Sequence, residues 1–156
     1  MKQFRPFSCV LLASLCALIL SSCASHSVRG QPPFVQINAM KLVEQSLTLD
    51  LGVRNVNSEP ILIRHTEFSV SLDETNLAIY NAASNASIIA NGTENVRFEL
   101  AASPEGIALL HQLEQGELID LEYSFEGVIQ LVDGGQMTMK NKGHIFPVPG
   151  RPGNFR

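Results

Sequence analysis

No cysteine follows residue 23 in this chain of 156 residues; its three thiols are Cys9, Cys16 and Cys23. That excludes thiol catalysis, cysteine-ligated metals and disulfides from everything beyond, so a domain there must be held together by its core. Positive charge is scarce as well. Beyond Cys23, with Lys2 and Arg5 set aside, nine basic residues face fifteen acidic ones, a net charge of −6. An acidic chain without a basic stripe argues against nucleic acid, because phosphate neutralisation supplies most of that affinity. It argues equally against electrostatic docking on anionic lipid. Long apolar runs are also missing: the stretch from Phe7 to Leu20 is too short to span a bilayer comfortably.

That short run has another use. Lys2 and Arg5 form a basic n-region, Phe7 to Leu20 an apolar h-region, and Leu20-Ser21-Ser22-Cys23 follows directly. This arrangement resembles the bacterial lipobox, in which small side chains fit the lipoprotein signal peptidase and the cysteine thiol receives a diacylglycerol. The resemblance implies that residues 1–22 are a lipoprotein signal peptide, with Cys9 and Cys16 serving as small hydrophobes within it. Residues 23–33 become a lipidated N-terminus and tether, anchored through the covalent lipid on Cys23. Ala24 rather than aspartate comes next, which implies the outer membrane, periplasmic face, in a Gram-negative host.

Ala24 to Pro33 is small, polar and proline-ended, without apolar periodicity. At the other end, Val148-Pro149-Gly150-Arg151-Pro152-Gly153-Asn154 has too many helix and ladder breakers to read as anything but a flexible tail, residues 148–156. Residues 34–147 read as one domain.

The dominant period in that domain is two. Leu47, Leu49, Leu51 and Val53 alternate with polar residues or glycine, as do Phe68, Val70 and Leu72, and Val96, Phe98 and Leu100. The longest run takes the odd positions Ile119, Leu121, Tyr123, Phe125, Gly127, Ile129 and Leu131. Strict alternation sets one face on a core and the other in water, as in antiparallel strands. Turn clusters at Asn55–Pro60, Asp73–Asn76, Asn91-Gly92 and Asp133–Gly135 separate the runs. The expectation is an all-β fold, an antiparallel β-sandwich. One segment departs from it. Ser103 suits an N-cap, Pro104 the first helical position and Glu105 the positive helix end, while Ile107, Leu110 and Leu113 recur at helical spacing before Gly116. One short helix is predicted there, packed over an end of the sandwich.

In order, these segments resemble the type 2 late embryogenesis abundant (LEA) family, also called the WHy (water stress and hypersensitive response) domain. A strand runs into Asn55-Val56-Asn57, where that family usually has Asn-Pro-Asn, and Pro60-Ile61-Leu62-Ile63 follows. Then come Phe68-Ser69-Val70-Ser71-Leu72, Leu77-Ala78, the turn Ile89-Ala90-Asn91-Gly92-Thr93-Glu94, Tyr123-Ser124-Phe125-Glu126-Gly127 and the closing Gly143-His144-Ile145-Phe146-Pro147-Val148. Two departures stand out: Val56 replaces the middle proline, at some cost in turn rigidity, and Asp73–Asn76 lacks a glycine. The resemblance implies an immunoglobulin-like or fibronectin III-like sandwich and an association with desiccation and stress tolerance. It carries no catalytic motif.

Residue chemistry points the same way. His26, His65, His111 and His144 show no zinc-ligand spacing and read as structural or surface groups. Asp120, Glu122 and Glu126 share the outward face of one strand, so with Glu117 they read as a solvated surface rather than an acid–base pair or calcium site. Met137 and Met139 read as core. The sequons at Asn85 and Asn91 read as turn residues. Thr48, Ser69, Ser71, Ser87, Ser124 and Thr138 make hydroxyl-rich outer rows, which read as ordinary solvated β residues or as a surface that keeps water, sugar or partner chains hydrogen-bonded during drying. Two functions follow: a non-enzymatic, cofactor-free stress-protection module at the envelope, or an envelope assembly module that recruits a protein or lipid partner through an open sheet edge.

Overall fold

The structure is a computed structural model and describes residues 30–156. The signal peptide, the lipobox residues Leu20, Ser21 and Ser22, and Cys23 with most of the expected tether lie outside the described residues. Among the described residues no helix is long and apolar enough to cross a membrane.

Among the described residues eight strands form two four-stranded antiparallel sheets. They are β1 (Phe34–Val43), β2 (Ser46–Arg54), β3 (Ile61–Leu72), β4 (Thr75–Ile88), β5 (Thr93–Ala101), β6 (Leu121–Leu131), β7 (Gln136–Ile145) and β8 (Asn154–Phe155), with one helix, α1 (Pro104–Gln115), between β5 and β6. One sheet has the order β5-β2-β1-β8 and the other β4-β3-β6-β7. This is the expected all-β sandwich with one short helix.

Alternation built these layers. Leu47, Leu49, Leu51 and Val53 on β2 face Phe68, Val70 and Leu72 on β3 across a core that also takes Tyr123, Phe125 and Ile129 from β6 and Met137 and Met139 from β7. Each fully buried side chain of this kind contributes about 1.5–3 kcal/mol relative to exposure. Aromatic rings knit the middle: Phe68 lies 5.1 Å from Tyr80, 4.9 Å from Phe98 and 5.1 Å from Phe125. On β1 and β3 the parity of the buried positions switches, because β-bulges interrupt the register between Ile37 and Ala39 and between Ile63 and His65.

Helix α1 has the expected ends. The Ser103 hydroxyl accepts the Gly106 N–H at 3.0 Å and donates to the Asn76 carbonyl at 2.6 Å, which ties the cap to β4. Gly116 ends the helix in the left-handed region at φ 76°, where a side chain would be strained. Leu110 and Leu113 are fully buried.

Three expectations need correction. The final residues are not a loose tail: β8 pairs with β1, the Leu42 N–H donates to the Gly153 carbonyl at 2.7 Å, and Phe155 is buried. The prolines and glycines make the hairpin-like return, and one aromatic side chain supplies the apolar payload that seats it. Ile119 is not on the core face; it is 87% exposed and precedes β6, so the alternation begins to bury side chains only at Leu121. The tether does not extend to residue 33, because Gln31 is already hydrogen-bonded to the domain and Pro33 is buried.

Candidate functional site

Antiparallel connectivity gathers the start of β1 and the β2–β3, β4–β5 and β6–β7 connections at one end of the sandwich. Asn55, directly after β2, is 0% exposed there. A buried primary amide must satisfy two N–H donors and a two-lone-pair oxygen, or lose the energy of desolvating them. Asn55 satisfies all of them. Its Nδ2 donates to the carbonyls of Glu59 at 2.9 Å, Ile88 at 3.3 Å and Ile89 at 3.1 Å. Its Oδ1 accepts the Asn57 backbone N–H at 2.9 Å and Asn57 Nδ2 at 2.8 Å.

Asn57 carries the network outward. Its Oδ1 accepts the Gln31 N–H at 2.7 Å and its Nδ2 donates to the Gln31 carbonyl at 2.8 Å, so one side-chain amide grips one residue's backbone from both sides. The preceding Gly30 is pressed against this amide: a Cβ there would stand 2.6 Å from Asn57 Oδ1, and φ is +110°. Only glycine fits both constraints. The Asn91 N–H donates to the Asn57 carbonyl at 3.0 Å and the Asn55 N–H to the Gly92 carbonyl at 2.9 Å, which joins the β4–β5 turn to the same knot. Three segments, the incoming chain, the β2–β3 loop and the β4–β5 turn, are therefore fastened by two asparagines. Pro60 stands exposed just before β3 and introduces that strand.

Nothing in the sequence around Gly30 and Gln31 signalled their part in this knot; they read as tether. The turn Ile89–Glu94 did lie among the family-like segments, but its hydrogen bonds to Asn55 are long-range.

The other candidates separate. His65 Nε2 is 2.8 Å from Asn81 Oδ1, His111 Nδ1 lies 3.7 Å from Glu114, and His144 Nδ1 lies 2.6 Å from Asp120; His26 lies outside the described residues. Among the described residues no three His, Asp or Glu side chains converge as a cation site requires. Glu122 and Glu126 are on the outer face, and each meets a lysine of β7: Lys142 Nζ to Glu122 at 2.9 Å and Lys140 Nζ to Glu126 at 2.8 Å. These hydrogen bonds hold both carboxyls below the usual carboxylate range and Lys142 above the usual ammonium range. On the other sheet Arg97 pairs with Asp50 at 2.7 Å. The polar even positions Lys140, Lys142 and His144 were the available signal for this ladder. Of the hydroxyl rows, Ser69, Ser71, Ser124 and Thr138 share the outer face of one sheet with these charges, whereas Thr48 lies on the other sheet and Ser87 on an edge strand.

The architecture of the described residues defines a class, an antiparallel β-sandwich with one capping helix. No protein family model matches the chain, and no curated protein matches it. Among solved structures, the solution structure of an Arabidopsis thaliana protein is similar with a TM-score of 0.59 at 15% identity, over 85% of this chain and 93% of that one. A provisionally assigned late embryogenesis abundant (LEA) protein is similar with a TM-score of 0.48 at 13% identity, over 94% and 88%. A crystal structure of a protein from Archaeoglobus fulgidus gives 0.46 at 11% identity, over 73% and 95%. The likeness to the first of these is one of fold.

Proposed function

We propose that this chain is a non-enzymatic envelope lipoprotein, anchored through Cys23, whose LEA type 2-like sandwich protects neighbouring proteins or membrane during desiccation or related stress. The observation that carries the reading is the asparagine knot. Asn55 and Asn57, part of the ordered set of segments that resembles the type 2 LEA family, brace the joint at which the chain from Cys23 enters the fold. The sandwich has no cysteine to form a disulfide, and its surface carries the cross-strand ion pairs Arg97–Asp50, Lys140–Glu126 and Lys142–Glu122 among other exposed polar side chains. Such a surface keeps hydrogen-bonding capacity toward neighbours as bulk water is withdrawn.

Two measurements test this. Mass spectrometry of the mature N-terminus is expected to find diacylglycerol on Cys23, and Cys23→Ala should accumulate as uncleaved precursor; a processed, unlipidated mutant would overturn the anchor. Cells without the protein should survive drying less well, with several envelope proteins aggregating. Unchanged survival and aggregation would overturn protection.

A second reading, an assembly module, draws on β4. This edge strand runs from Thr75 to Ile88 without one charged residue, so a partner strand could add to it. Crosslinking in intact cells separates the two readings: a single stoichiometric partner selects assembly, and a diffuse set selects protection.

A further inference from the structure

We infer that the knot end of the sandwich rests on the bilayer surface, with Phe34, Leu62, Ile89 and Val132 as its contact points. This inference rests on the acylation of Cys23 proposed above.

Three observations lead to it. First, the end is pinned. Only seven residues separate Cys23 from Gln31; even fully extended, the eight steps between them at up to ~3.6 Å each reach no farther than about 29 Å. Gln31 is gripped by Asn57, and Gly30 fits against the same amide, so the attachment point cannot migrate along the domain. The opposite end lies about 36 Å away along the eleven residues of β6 at ~3.3 Å each.

Second, this end carries apolar tips where loops are ordinarily polar. Phe34 is 62% exposed, Leu62 49%, Ile89 58% and Val132 61%. Ile89 lies in the β4–β5 turn and Val132 in the β6–β7 turn, and the Val132 N–H donates to the Leu62 carbonyl at 3.1 Å, so two of the four are direct neighbours.

Third, the flanking charges are mixed: Arg54 and Arg64 stand against Glu59, Glu94 and Asp133. With no cationic patch, the contact is apolar insertion rather than attraction to anionic headgroups. Exposed apolar residues occur at the far end too, Val43, Ile119 and Phe146 among them. What selects the knot end is the anchor: a short tether makes its contact with lipid effectively intramolecular, so weak insertion suffices.

The test uses the full lipidated protein in vesicles of phosphatidylethanolamine and phosphatidylglycerol that contain spin-labelled lipid. Single-cysteine variants Ile89→Cys, Val132→Cys and Ile119→Cys, all at exposed positions, carry an environment-sensitive dye. The unsubstituted chain is the control for the anchor. If Cys23 is acylated it takes up no dye; labelling of that chain would overturn the anchor and this inference together. With the anchor intact, lipid spin labels are expected to quench most of the emission at 89 and 132 and little at 119, and adding Leu62→Asp to Ile89→Cys should restore emission. Retention on vesicles without quenching at 89 and 132 would overturn the docking while leaving the anchor standing. Stronger quenching at 119 would overturn it as well. So would a blue shift at 132 that rises with protein concentration and not with lipid, since a second copy would then cover this end.

Discussion

β7 and β4 close opposite edges of the same sheet, and only one of them is guarded by charge. β7 presents Lys140, Lys142 and His144 on its outer face, paired with Glu126 and Glu122 of β6 and with Asp120 just before it. β4, a longer strand of 14 residues, presents Ile79, Asn81, Ala83 and Asn85 instead. Its two ends are occupied: the Ser103 N–H donates to the Leu77 carbonyl, and Asn55 holds the carbonyls of Ile88 and Ile89. Edge strands bearing lysine resist pairing with other chains, whereas long uncharged ones invite it. The two edges thus differ in what they allow to approach: charge guards β7, while β4, whose ladder with β3 is bulged twice, is uncharged along its whole length.

The two edges are coupled through the residue that lies between them. Phe68 on β3 touches Tyr80 of β4 and Phe125 of β6. Phe68→Ala is expected to destabilise the fold by about 3–5 kcal/mol in chemical denaturation, with amide exchange rising in both edge strands; protection surviving in either would show that the sheet does not act as a unit. Next, Asn55→Ala removes donors from three carbonyls and should cost about 1–3 kcal/mol. Exchange should rise at Asn57, Asn91 and Gly92 near β4 while β7 amides keep their protection.

A smaller effect tests the guard itself. Lys140→Ala with Lys142→Ala should make self-association grow with concentration in light scattering, and Ile79→Lys should suppress whatever association the natural chain shows. If Ile79→Lys leaves association and crosslinked partners unchanged, the uncharged edge is not a docking strand.

The smallest effect is the pH response. Glu122 and Glu126 have carboxyl pKa values lowered in the folded state by their lysines. Their stabilisation is therefore complete above the ordinary carboxylate pKa and is lost as pH falls through the lower folded values. Lys142, raised by Glu122, behaves oppositely, its share disappearing as pH rises through its elevated value. Both pairs are exposed and screened. The midpoint shift should be slight, reduced by salt and confined to β6–β7 amides; a shift centred on β4 would contradict the assignment.

Much of the fold was legible locally. Where alternation runs unbroken, as on β2 and over most of β6, a one-residue slip would bury charge, so the pattern names the core face without ambiguity. The helix ends were equally plain, because Ser103, Pro104 and Gly116 act on their own neighbours. β4 was harder to read: its alanines, serines and asparagines alternate with too little contrast in hydropathy. The bulges in β1 and β3 shift parity in mid-strand, and only a partner strand reveals such a slip.

The composition and period of the chain were enough to determine a thiol-free antiparallel sandwich with one capping helix, since those features depend on side-chain alternation and local capping. Tertiary structure alone decided that Asn57 reaches Gln31, that Asn55 binds the β4–β5 turn and that Phe155 seats the last residues on β1. Each of these contacts joins residues far apart in sequence. A polar turn or a proline-rich end looks the same in sequence whether or not it finds a partner, because hydrogen bonds and apolar burial depend on what folding brings alongside.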